Sequence, residues 1–252
     1  MSSRGLTRHL TLALAAASLF GLTAASAAGA STSASPARAS TAARVQATQE
    51  LAVLSSAKTA HEAPNAGSPQ VAVVAPRRPI TGAETTLPVL ARSIAADGTW
   101  WLQVMLPGRP DGLIGWITQS GTRPAVTPWR ITLNLGARRV TVYNDGTRVR
   151  SFRAVVGKPS TPTPTGRFFV EEVVQMQPGA TGGPFALALS ARSNALQEFE
   201  GGPGQIGMHG RDNLGGTLGA AESHGCVRLG TPAIDWLAAR IDDGTPVTIS
   251  AH

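Results

Sequence analysis

The 252-residue chain has one cysteine, Cys226, so it can form no internal disulfide. Lysine is almost missing: Lys58 and Lys158 are the only two, and the remaining basic residues are all arginine. The glycine-rich stretches Gly201-Gly202-Pro203-Gly204 and Gly215-Gly216 contain no phosphate-loop lysine, which removes the usual grounds for a nucleotide site. The uncharged apolar run from Leu10 to Leu22 is too short for a comfortable transmembrane helix. No carboxylate pair suits glycoside cleavage, because Asp235, Asp242 and Asp243 read as helix and turn charges.

What is present begins with an export pattern. Arg4, Arg8 and His9 form a positive start ahead of the apolar run, and Ala25-Ser26-Ala27 fits a small-x-small cleavage site. A secretory signal peptide is expected over 1–27, with a secreted or cell-wall location and no stable membrane span after cleavage. No cysteine stands at the expected cleavage site, so a lipoprotein anchor is not expected. Losing Arg4 and Arg8 lowers the formal charge from +7 to +5. The remaining arginines are scattered rather than clustered, which together with export argues against nucleic acid. An anionic extracellular polymer such as cell wall is the better partner.

Residues 28–44 are mostly Ala, Ser and Thr with almost nothing to bury, as in a disordered tether. Residues 42–60 are expected to form a short helix with Val45, Leu51, Val53 and Leu54 as its apolar positions. Glu62 to Gly67 breaks it, so 28–80 reads mainly as spacer. Residues 81–124 change character, with strands at Thr86–Leu90, Trp100–Leu106 and Gly115–Ile117 around a Pro107–Gly112 turn. Short strands, tight turns and large aromatics suggest a small β-barrel. The unit resembles a bacterial SH3-like module through Trp101-x-x-Val104 and Gly115-Trp116-Ile117. That resemblance implies docking to the wall or to the next domain. Trp100, Trp101 and Trp116 read equally as packing residues.

From Trp129 the strand signals multiply: 130–135, 139–143, 149–156, 168–174, 185–189 and 247–249. Asn144-Asp145-Gly146 marks a tight hairpin turn. The one convincing helix starts at Thr231, read as its N-cap, with Pro232 at the first helical position. Ile234, Leu237, Ala238 and Ile241 form its apolar face and Gly244 ends it. The fold class is mostly β, with one short helix.

The chemistry concentrates in Ser223-His224-Gly225-Cys226-Val227-Arg228. A thiol needs a base or a positive neighbour to act as a nucleophile. His224 stands two residues away, and His209 arrives from another segment, in Gly207-Met208-His209-Gly210. The Gly210 carbonyl can hold one imidazole nitrogen and so fix the tautomer. The N–H groups of Gly225 and Cys226 can face an oxyanion. Arg228 suits a two-pronged grip on a substrate carboxylate. A metal reading would join His209, His224 and Cys226 to Asp212 or Glu222, at a spacing that fits no standard zinc motif.

These residues resemble the signature of the YkuD-type L,D-transpeptidases: His-Gly, a spacer, then Ser/Thr-His-Gly-Cys-hydrophobe-Arg/Asn. Thr163-Pro164-Thr165-Gly166-Arg167-Phe168 and Gly201 to Ile206 also match family phrases, and the likeness covers roughly 125–252. It implies a YkuD-like β-sandwich, preceded here by the small barrel. It also implies peptidoglycan stem peptides as substrate and a Cys226 thioester formed with release of D-Ala. Attack on that thioester by a neighbouring stem's amine gives a 3→3 crosslink. His209 becomes general base and acid. His224, Gly225 and Cys226 shape the oxyanion hole, and Ser223, Gly210 and Arg228 position loop and substrate. The family implies no metal or organic cofactor, and susceptibility to carbapenem acylation. The alternatives are an L,D-carboxypeptidase, a protein-anchoring acyltransferase with the same chemistry, and an inactive wall-binding module.

Overall fold

A computed structural model describes residues 45–199 and 201–252. The expected signal peptide (1–27) and tether (28–44) lie outside the described residues. The described residues form two main sheets. The first contains β1 (Gln49–Leu54), β2 (Lys58–His61), β3 (Gln70–Val74), β4 (Thr86–Ile94), β5 (Trp100–Met105), β6 (Ile114–Thr118) and β7 (Thr122–Thr127), in the spatial order β3-β2-β6-β5-β4-β1-β7.

This sheet corrects two expectations. The spacer 28–80 supplies three of its strands, and the helix expected over 42–60 is replaced by β1 and β2. The physical reason lies in Leu51-Ala52-Val53-Leu54, all four of them buried. A continuous apolar run is what a fully covered strand needs, whereas an amphipathic helix would expose part of it. β1 sits between β4 and β7, antiparallel to both. The unit is therefore larger than the expected 81–124 module. Trp101 is buried and meets His61 edge-on at 5.7 Å. Trp116 is half-buried and Trp100 is exposed.

The second sheet holds β8 (Trp129–Asn134), β9 (Arg139–Asn144), β10 (Thr147–Arg153), β12 (Gly166–Gln175), β13 (Phe185–Arg192), β14 (Gln205–His209), β16 (Val227–Arg228) and β17 (Pro246–Ser250). Its order is β10-β9-β8-β17-β12-β13-β14-β16. β11 (Val156–Gly157) and β15 (Ala221–Ser223) form a separate parallel pair. β9 and β10 are joined by Asp145-Gly146, both at positive φ (48° and 73°), as a twisted two-residue hairpin requires. The C-terminal β17 inserts between β8 and β12, parallel to the first and antiparallel to the second.

The helix α1 (Thr231–Ala238) buries Ala233, Ile234 and Leu237. Its N-cap is Gly230 rather than Thr231, with no side-chain cap. The Thr231 hydroxyl instead bonds the Asp212 carboxylate at 3.1 Å. Ile241 is buried just beyond the helix end.

β12 is the wall shared by the two halves of this fold. Successive strand residues face opposite ways, so Phe168 enters the second core while its neighbour Phe169 enters the first. Farther along, Glu171 and Glu172 are both buried. Glu171 is paired with Arg78 and with Arg192, the latter at 3.0 Å. Glu172 accepts the N–H groups of Thr81 (2.8 Å) and Ile80 (3.2 Å). Buried carboxylates are costly unless paired in this way.

Candidate active site

β14 and β16 bring the expected residues together. They run parallel, with Met208 opposite Val227 and His209 opposite Arg228. Cys226 immediately precedes β16, and this register sets it beside Gly207. The Gly207 N–H donates to Cys226 Sγ at 3.4 Å, and the sulfur lies 3.9 Å from the Gln205 carbonyl. An N–H aimed at sulfur favours negative charge there.

His209 closes β14. Its Nδ1 is 2.8 Å from the Gly210 carbonyl. A carbonyl only accepts, so the network assigns the proton to Nδ1 and leaves Nε2 as the basic nitrogen. The Gly210 main-chain oxygen thus sits against the imidazole. The loop before β13 packs close to the same ring. A Cβ on Gly182 (φ +84°) would lie 2.8 Å from His209 Nδ1, and one on Gly210 would overlap the Gly183 carbonyl.

The turn from Ser223 to Cys226 is held from within and from outside. Ser223, fully buried, donates its hydroxyl to the Cys226 carbonyl (2.6 Å) and accepts the Gly225 N–H (3.1 Å). This corrects one expectation: the Gly225 N–H is engaged inside the turn and does not face an oxyanion. From outside, Thr163 donates to the Gly225 carbonyl (2.7 Å) and accepts the Gly157 N–H (2.9 Å). Thr161 donates to the Ser223 carbonyl (3.3 Å), which also accepts the Lys158 N–H (3.0 Å).

His224 lies exposed at the rim. Its ring stacks on Phe199 with centroids 5.8 Å apart, and its Nε2 is 3.5 Å from Lys158 Nζ. Arg228 donates one guanidinium N–H to the Gly215 carbonyl (3.1 Å), while its Nε is buried without a hydrogen-bond partner. Cys226, His209, His224 and Arg228 line one cavity of about 500 Å³, together with Phe199, Leu196, Met176 and Ile80. Its walls are largely apolar, with a few polar groups converging on the sulfur, as substrate pockets are commonly built.

Asp212 and Glu222 do not join this group. Asp212 accepts from Thr231, and Glu222 accepts the Thr217 N–H at 2.9 Å. Among the described residues, no three His, Cys, Asp or Glu side chains converge as metal ligands.

Thr161, Lys158, Phe199 and Gly182 carried no role in the sequence. Thr163 lay in a phrase matched only as a resemblance. Their contacts are made across gaps of tens of residues. The one local signal was Thr163-Pro164-Thr165-Gly166.

Known proteins are similar to this chain in sequence. The model of the YkuD family, the L,D-transpeptidase catalytic domain, matches residues 128–249. The L,D-transpeptidase-type protein YkuD of Bacillus licheniformis is 31% identical over 166 residues, covering 63% of this chain and 92% of that protein. Its Bacillus subtilis counterpart is 29% identical over 158 residues, covering 63% and 80%. A cysteine-to-serine mutant of the Enterococcus faecium L,D-transpeptidase superposes with a TM-score of 0.38 at 23% identity. That match covers 48% of this chain and about half (49%) of the other. The sequence relationship alone carries the assignment: this chain belongs to the YkuD-type L,D-transpeptidase family.

Proposed function

We propose that the protein is a peptidoglycan L,D-transpeptidase that works through a thioester on Cys226. The observation that carries this reading is the His209 imidazole, anchored through Nδ1 on Gly210 and sharing a cavity with the Cys226 sulfur. His209 Nε2 takes the thiol proton as the sulfur attacks the carbonyl of the third residue of a tetrapeptide stem. The C–S bond forms, and the oxyanion faces the Cys226 N–H. Collapse breaks the bond to D-Ala, whose amine takes the proton from His209. The amine of a neighbouring stem's diamino acid then attacks the thioester and passes a proton back through His209. The thiol is released and a 3→3 crosslink remains. Arg228, beside the cavity, holds a stem carboxylate. No metal or organic cofactor enters these steps, and a carbapenem should acylate the same sulfur.

The expected export signal over 1–27 supports a site of action outside the cytoplasmic membrane, with a part in cell-wall assembly and cell shape. The test is intact mass of the protein, and of Cys226→Ala, after incubation with a disaccharide-tetrapeptide while soluble products are followed. A thioester adduct on the wild type with loss of D-Ala and formation of dimer supports transpeptidation. D-Ala loss with tripeptide alone would make the enzyme a carboxypeptidase. No adduct and no turnover in the wild type would overturn the reading.

A further inference from the structure

The cavity around Cys226 is not made by residues 128–249 alone. Ile80, from the segment between β3 and β4, is 58% exposed and lines it. The backbone N–H groups of Ile80 and Thr81 are tied to Glu172 on β12, so the main chain that carries this side chain is anchored. A second part of the wall contains Ser193, Leu196, Phe199 and Gly204. Ser193 and Gly204 are joined by a backbone hydrogen bond of 2.8 Å, and the Ser193 hydroxyl accepts the Leu196 N–H at 3.0 Å.

That wall is gripped from the first sheet. Arg109, in the turn between β5 and β6, donates to the carbonyls of Leu196 and Pro203, both at 3.3 Å. Two residues on, Asp111 accepts the Arg192 N–H at 2.8 Å, just where β13 ends and the wall begins. Arg192 is itself buried, with its guanidinium on Glu171 and on the carbonyls of Leu189 and Ala191. The 107–112 turn therefore clamps both ends of the described wall, residues 193–199 and 201–204. Phe199 on that wall carries the His224 ring.

We infer that the first sheet completes the donor-binding cavity: Arg109 and Asp111 are positioning residues for its outer wall, and Ile80 is a substrate-contact residue. The inference rests on the proposed reaction for its kinetic consequence but not for its structural one. An anchored wall presents Leu196 and Phe199 in one arrangement, so the stem peptide does not have to order them on binding. Loss of the anchor should weaken donor binding more than it slows the step at sulfur. Loss of the Ile80 side chain should remove apolar contact with the donor directly.

The test uses the full chain with Arg109→Ala, Arg109→Lys and Ile80→Ser. Amide hydrogen exchange is followed in residues 193–199. D-Ala release from a disaccharide-tetrapeptide yields KM and kcat, and alkylation by iodoacetamide reports the intrinsic reactivity of Cys226. Arg109→Ala is expected to speed exchange at Leu196 and its neighbours at least tenfold and to raise KM about fivefold. Both kcat and alkylation should stay within twofold of wild type, and Arg109→Lys should recover part of the loss. Ile80→Ser should raise KM about threefold without changing exchange in the wall. Unchanged exchange in Arg109→Ala overturns the clamp, whatever the substrate. Unchanged KM in both Arg109→Ala and Ile80→Ser overturns the shared cavity. Faster exchange in a protein whose wild type releases no D-Ala would sustain the clamp and remove the proposed reaction instead.

Discussion

Ser223→Ala removes one oxygen from the centre of the turn from Ser223 to Cys226. That oxygen serves two backbone groups, accepting the Gly225 N–H and donating to the Cys226 carbonyl, and its side chain is fully buried. Alanine fills nearly the same space, so the loss is one of hydrogen bonding rather than volume. A buried polar group left without a partner costs about 1–3 kcal/mol. Two such groups, one of them a carbonyl with a second lone pair, give about 2–4 kcal/mol. The effect on turnover should be larger than stability alone would suggest, because the freed turn carries the sulfur. Displacement of a reacting atom by about 1 Å costs roughly a hundredfold, so a fall of tens-fold in D-Ala release is expected. Ser223→Thr keeps the hydroxyl and should retain most of both. Urea unfolding and donor turnover measure the pair. If Ser223→Ala unfolds within about 0.5 kcal/mol of wild type, the level of an ordinary surface change, and turns over normally, the Ser223 hydrogen bonds do not hold the site.

Three further outcomes follow from other contacts. Gly182→Ala places a Cβ against the His209 ring at a positive φ; donor turnover should fall at least tenfold with only a modest drop in Tm, and activity within twofold of wild type would refute the clash. Phe169→Ala empties the side chain through which β12 enters the first core and should cost about 3–5 kcal/mol in urea unfolding; a loss below about 1 kcal/mol would mean the two cores are not joined there. Asp243 has its carboxyl pushed up from 3.8 to about 6, first by burial and then by Glu172, against the opposing Val173 N–H bond. The folded state therefore binds the extra proton between about pH 4 and 6, and its stability falls as pH rises through that window. Partial solvent contact limits the effect to about 1–2 kcal/mol. Asp243→Asn should flatten the dependence and raise stability at pH 7.5 when urea unfolding is compared at pH 5 and 7.5; an unchanged slope would assign it to other groups.

The candidate nucleophile and base were legible because the signals that mark them are local. A lone cysteine among polar and glycine neighbours, a histidine before a glycine, and the turn at Asp145-Gly146 are each decided within a few residues. The strands from Trp129 onward were legible through their alternation, since one face of each is buried. Leu51 to Leu54 were not, because a short apolar run has no period until the sheet supplies neighbours on both sides. The Gly225 N–H was misassigned for a related reason: which partner a backbone donor takes depends on where Ser223 Oγ sits after the turn closes. Sequence by itself determined which atoms are candidates for the chemistry, because the side-chain types and their short spacing are covalent facts. Only tertiary structure decided what surrounds them. Thr163 beneath Gly225, Gly182 against His209, and the reach of Arg109 to Leu196 and Pro203 all join residues far apart in the chain. Hydrophobic burial, through Phe168 and Phe169 on opposite faces of β12, is what brings the segments carrying those contacts together.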